Sequence, residues 1–185
     1  MSIISKLLNV VLLVLFVIMI SFVVILIPID IIDDSERVNE TKLNSLTYDN
    51  LNEERRERGL NELEKREDIE EISEYKTKRM INENYISHEA PDGEEVKDRF
   101  ERFNVNCRMV GENLAQTYYN KNVNVDYDGT IKYTSMEELS TGITKQFMNS
   151  PDHKDNILDE QWESHGIDIQ VTSQDEVYVT HKFCN

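Results

Sequence analysis

Apolar residues are distributed along this chain in two different ways. Between Lys6 and Asp30 they form an almost unbroken run, LLNVVLLVLFVIMISFVVILIPI, interrupted only by Asn9 and Ser21. About 20 such residues cross a hydrocarbon core of about 30 Å. With no charge inside it, the run predicts a transmembrane anchor over residues 7–29. A cleaved signal peptide is the rival reading. Its apolar region is shorter, about 7–15 residues, and ends in small side chains, whereas this run ends in Ile27, Pro28, Ile29 and Asp30. The anchor reading leaves a short cytoplasmic end over 1–6, a juxtamembrane spacer over 30–46 and an extracytoplasmic domain over 47–185. That arrangement describes a single-pass protein of the cell membrane.

Beyond the spacer the apolar positions become periodic. Leu51 sits in a charged helical segment that Gly59 can close. Ile69, Ile72, Tyr75 or Lys76, and Arg79 or Met80 recur at three-to-four spacing, which predicts an amphipathic helix over 67–82. The stretch NENYISHEAPDGEE, punctuated by Pro91 and Gly93, reads as a loop, and VKDRFERF as a short helix. Val123, Val125 and Tyr127 alternate before an Asp128-Gly129 turn and then Ile131 and Tyr133, the pattern of a hairpin. Ser135 and Glu138 have the spacing of a capping box, opening a helix in which Met136, Leu139, Ile143 and Phe147 share a face. Ser150 as N-cap and Pro151 at the first helical position put His153 in the first turn of another short helix. GIDIQV and VYVTHKF read as strands, the second with Val177, Val179, His181 and Phe183 on one side.

The part beyond the apolar run, about 150 residues, is long enough for one hydrophobic core and too short for two comfortable domains. With 36 acidic against 20 basic residues and a net charge of −16, the chain repels nucleic-acid backbones and favours cations or basic partners. Cys107 and Cys184 are its two cysteines; outside the cytoplasm they read as a pair, the alternative being two separate buried thiols. The sequence contains no HExxH, GxSxG, CxxC or phosphate-binding glycine loop, which removes local support for the corresponding hydrolase, redox and nucleotide chemistries.

What remains is an ordered set of short motifs: Asn52-Glu53-Glu54-Arg55, Tyr85-Ile86-Ser87-His88, Gly111-Glu112-Asn113-Leu114-Ala115, Ser150-Pro151-Asp152-His153-Lys154-Asp155-Asn156-Ile157-Leu158, and the closing VYVTHKF. In that order they resemble the CAP superfamily, the SCP-like secreted proteins, from about Leu46 to the end of the chain. The resemblance implies a three-layer α-β-α sandwich around a central antiparallel sheet, with a cleft faced by His88, Glu112 and His153; His181 is a further candidate for this cleft, to enlarge or merely cap it. It also supports a bond between Cys107, which lies shortly before Gly-Glu-Asn, and Cys184. The departures are the lack of a matching second cleft glutamate, Phe147 where prokaryotic members usually have Trp, and His181 where Gln is usual.

Two imidazoles and a carboxylate are suitable ligands for Zn²⁺ or another divalent cation, so His88 and His153 read as a weak metal site, with Glu112 either a third ligand or the acceptor that fixes a histidine tautomer. The same residues also read as a hydrogen-bonded structural cluster, and His165 as a histidine outside the site. Joined to the anchor read from the apolar run, the resemblance implies a non-enzymatic module for a lipid, cell-envelope or protein ligand. The alternative is a metal-dependent hydrolase of envelope peptides or glycans. No side chain is marked as catalytic.

Overall fold

The computed structural model describes residues 13–16, which are helical, and 38–185. The chain divides into two units, 1–37 and 38–185, and the second holds every element named below. The expected anchor needs correction. Among the described residues no helix is long and apolar enough to cross a membrane. Apart from residues 13–16, the 7–29 segment lies outside the described residues. The single-pass membrane localisation and the membrane partner that rested on this helix are therefore not carried forward.

In the second unit, helix α1 (Glu40–Arg56) is followed by a two-residue strand β1 (Glu64–Lys65), helices α2 (Glu67–Glu83) and α3 (Val96–Arg102), and strand β2 (Val110–Tyr118). A hairpin, β3 (Asn122–Val125) and β4 (Gly129–Lys132), leads to helices α4 (Met136–Asn149) and α5 (Pro151–Leu158). The chain closes with strands β5 (Ser164–Val171) and β6 (Glu176–Cys184). Helix α1 takes in residues 40–46, which the sequence pattern assigned to the spacer, because Asn39 Oδ1 caps it by accepting from Lys42 N at 2.9 Å.

The central sheet runs β1-β5-β6-β2; β5, β6 and β2 are antiparallel, and only the short β1 adds a parallel pair. Helices α1, α4 and α5 pack on one face, α2 and α3 on the other, which is the expected three-layer sandwich. Strand alternation assigns the faces. Val177, Val179 and Phe183 of β6 join Leu43, Leu51, Ile143 and Phe147 in the main core under α1 and α4. The alternate residues Tyr178 and Cys184 belong to smaller clusters beneath α2 and α3, with Met80 and with Ile69, Ile72 and Phe100. Gly166 allows α2 to approach this closely: a Cβ there would lie 2.4 Å from the backbone of Ile69 and Glu70. Cys107 and Cys184 form a disulfide with Cα atoms 5.5 Å apart, tying the loop before β2 to the end of the chain.

Two of the motifs are fasteners of this fold. Asn52 receives Leu63 N at 2.9 Å and donates to Leu63 O at 3.2 Å, while the buried Arg55 donates to Asn61 O, Ile157 O and Asp159 O at 2.6–2.9 Å. Asn113 donates to His153 O at 2.9 Å and accepts from Asn156 at 2.8 Å, which locks α5 onto β2. These amides and the guanidinium satisfy backbone carbonyls at element ends that would otherwise be buried without partners.

Candidate functional site

Glu112 lies on β2 with its side chain toward α2 and α3, and is 5% exposed. Directly across the strand pair stands Lys182 of β6, wholly buried, whose Nζ donates to Glu112 Oε2. From α3 the buried Arg99 reaches Oε2 at 3.3 Å, and from the loop after α2 His88 Nδ1 lies 2.8 Å from Oε1. Three protein donors thus engage the two oxygens of the carboxylate.

The same cations hold the loop that carries His88. Arg99 Nη2 donates to His88 O at 2.7 Å and Nη1 to Glu94 O at 3.1 Å. Lys76, on the buried side of α2, donates to Ser87 O at 2.5 Å and Tyr85 Oη at 3.2 Å. Glu94, at the far end of the loop, accepts from Arg102 at 2.8 Å and Arg79 at 3.0 Å. Residues 84–94 are therefore stretched over a buried ion cluster, with Ile86 and His88 left facing solvent.

Burial alone would raise the Glu112 pKa. The Lys182 charge, the His88 hydrogen bond and the Arg99 charge reverse this and hold it at about 2, against an ordinary 4.5. Lys182 is lowered to about 8, burial outweighing the pull of Glu112. Lys76 is also lowered to about 8, again chiefly by burial. At neutral pH Glu112 and the two lysines are therefore chiefly ionised.

His153 sits in the first turn of α5, its ring edge-on to Phe147 with centroids 5.4 Å apart. Its pKa is lowered by burial and then by His88, so the two imidazoles influence each other. His181 is not part of this surface. It faces the opposite side of the sheet from Lys182, wholly buried, with Nε2 3.0 Å from His165 Nδ1 and its ring 4.0 Å from that of Phe183. One imidazole of the pair must donate and the other, necessarily neutral, accept. Burial accordingly lowers His165 to about 3 and His181 well below its usual value.

The expected metal site gains no support from the structure. No group of three or more His, Cys, Asp or Glu side chains that could hold a metal ion occurs among the described residues. Glu112, the intended oxygen ligand, already has an ammonium and a guanidinium in contact. The metal-dependent hydrolase weighed for this chain gains no support from the structure either. Sequence reasoning placed Glu112 and His88 together and missed Arg99, Lys182 and Glu94. A signal for Lys182 was present: by strand parity it points away from Val179 and Phe183, onto the face that Glu112 shares.

The family model described as cysteine-rich secretory protein family, CAP, matches residues 48–184. The chain belongs to the CAP family. No curated protein matches it. Among solved structures, the CAP domain is similar to an extracellular protein containing an SCP domain from Bacillus anthracis, with a TM-score of 0.61 and 22% identity over 83% of this chain and 43% of that one. An outer surface protein from Borrelia burgdorferi gives 0.65 and 16%, covering 80% of this chain and 96% of the other. A cysteine-rich secretory protein from Staphylococcus aureus gives 0.56 and 17%, over 79% and 39%. This chain spans less than half of the B. anthracis and S. aureus chains. At these identities the likeness establishes the fold.

Proposed function

We propose that this CAP domain is a non-enzymatic binding module that recognises a protein or cell-envelope component through the loop over residues 84–94. The observation that carries the reading is the engagement of both Glu112 oxygens by donors inside the protein. A general base must reach the proton it abstracts with a free lone pair. Here both carboxylate oxygens accept from His88, Arg99 or Lys182 inside the protein. The cluster therefore acts inward, fixing the loop. Outward, the loop offers the His88 side chain, 57% exposed, beside Ile86, 43% exposed, a polar and an apolar contact on a preorganised backbone. The disulfide fits an oxidising, extracytoplasmic environment.

The test is site-specific photocrosslinking in the source cells, with the reactive group at position 86 and, as a control, at the exposed Lys78 of α2. The expected result is a discrete product from position 86 that disappears when His88→Ala is added. Identical products from both positions would contradict the reading. So would hydrolysis of an envelope peptide or glycan that depends on Glu112 in a folded protein.

A further inference from the structure

The two sulfurs of the disulfide stand in different surroundings. Cys184, the last residue of β6, is 2% exposed and belongs to the cluster of Ile69, Ile72, Phe100 and Val105. Cys107 is half-buried in the loop between α3 and β2, with the exposed Asn106 and Arg108 on either side. A reagent in water therefore meets the Cys107 end of the bond first.

A hydrogen-bond donor marks the other end. Arg66, the residue before α2, donates from Nη1 to Cys184 Sγ at 3.3 Å. Asp68 holds the guanidinium in that attitude, accepting from Nε at 3.1 Å and from Nη2 at 2.6 Å. The same carboxylate offsets much of the Arg66 charge, so what reaches the sulfur is chiefly a directed N–H. No donor contacts Cys107 Sγ among the described residues. A neutral sulfur accepts weakly and an ionised acceptor strongly, so this N–H gains strength as negative charge develops on Cys184 Sγ.

In thiol–disulfide exchange a thiolate attacks one sulfur and the other departs with the electron pair. Exchange is faster where the attacked sulfur is accessible and the departing one is a stabilised thiolate. From the burial of Cys184 and the donor placed on it, we infer that Cys107 is a site of reversible S-thiolation by a small thiol. The incoming thiolate bonds to Cys107 Sγ, the Cys107–Cys184 bond breaks, and the electron pair moves to Cys184 Sγ, which becomes a thiolate held by Arg66 Nη1. One disulfide replaces another, so no oxidant or reductant is consumed beyond the thiol itself. Attack of the Cys184 thiolate on Cys107 Sγ restores the link and releases the small thiol. The exchange takes place two residues along β6 from Lys182, at the strand end that carries the Glu112 pair.

The test exposes the full oxidised chain, folded and without denaturant, to 2-mercaptoethanol for short times. The reaction is stopped with N-ethylmaleimide in urea and mapped by non-reducing peptide mass spectrometry. The first product expected carries 2-mercaptoethanol on Cys107 and the maleimide on Cys184. Arg66→Gln should slow its formation about three- to tenfold, the scale of a charge-assisted hydrogen bond partly formed as the sulfur departs. A merely structural role for Arg66 predicts the opposite, since a loosened fold exposes the bond and speeds exchange. A first adduct on Cys184, or on both sulfurs equally, would overturn the inference. So would exchange confined to urea concentrations that unfold the domain, or exchange at least as fast in Arg66→Gln as in wild type.

Discussion

Replacing Glu112 by glutamine keeps the side chain's size and removes its charge from between two cations with no solvent exposure, Lys182 and Arg99. A pKa held at about 2 in the folded protein, against an ordinary 4.5, corresponds to about 3 kcal/mol of stability at neutral pH. Breaking a buried pair by removing one partner costs about 3–5 kcal/mol, because the remaining charge is left uncompensated. Both routes give the same scale. Because the folded pKa lies below the unfolded one, the contribution is complete above about pH 5 and is lost as pH falls from 4.5 through about 2. Urea unfolding of wild type and Glu112→Gln should therefore differ by about 3 kcal/mol at pH 7 and by less than half of that at pH 3. A loss under 1 kcal/mol at pH 7 would refute the ion-pair account. An equal loss at both pH values would trace the effect to packing instead.

Three further outcomes follow from the same geometry. Reducing the Cys107–Cys184 bond, which spans 77 residues, should cost about 2–4 kcal/mol, read as a fall in the urea midpoint with an intact far-ultraviolet spectrum before the transition. Gly166→Ala should destabilise by about 1–3 kcal/mol or more, because its Cβ meets the backbone of α2 rather than a movable side chain; a neutral result in thermal unfolding would mean that α2 can shift. His165 has a folded pKa near 3, below its unfolded 6.5, so the unfolded chain binds more protons between those values and stability falls with pH across that window. His181→Gln, which removes one of the two buried imidazoles, should make that decline shallower between pH 6.5 and 4, and an unchanged slope would show that the pair does not govern it.

Periodicity made the long elements legible. Spacing of Ile69, Ile72 and Met80 located α2, and the alternation of Val177, Val179 and Phe183 gave both β6 and its core-facing side. It gave no strand over Gly111-Glu112-Asn113-Leu114-Ala115, because β2 buries both faces. Glu112 and Leu114 pack toward α2, while Asn113 and Ala115 face the other layer, and a polar residue falls on each side. The cleft triad was legible only in part for a related reason. Whether Glu112 can serve as a ligand depends on what stands opposite it, and that is set by strand register, with Glu112 facing Lys182, and by the orientation of α3, which brings Arg99 inward. His181 shows the same limit: its side of β6 was clear, yet its partner is His165 of the neighbouring strand and not the surface. A polar side chain's role changes with its nearest counter-charge, which lies 13 residues from Glu112 in one case and 70 in the other.

The central claim is that Glu112 is an internal clamp holding the recognition loop rather than a ligand or base open to the cleft. Carboxyl ¹³C resonances of glutamate-labelled protein, assigned with Glu112→Gln and followed from pH 7 to 3, address it directly. The account expects the Glu112 signal to stay at its ionised position throughout and to ignore added Zn²⁺ at pH 7. A midpoint at or above 4.5, or a stoichiometric shift with Zn²⁺, would contradict it.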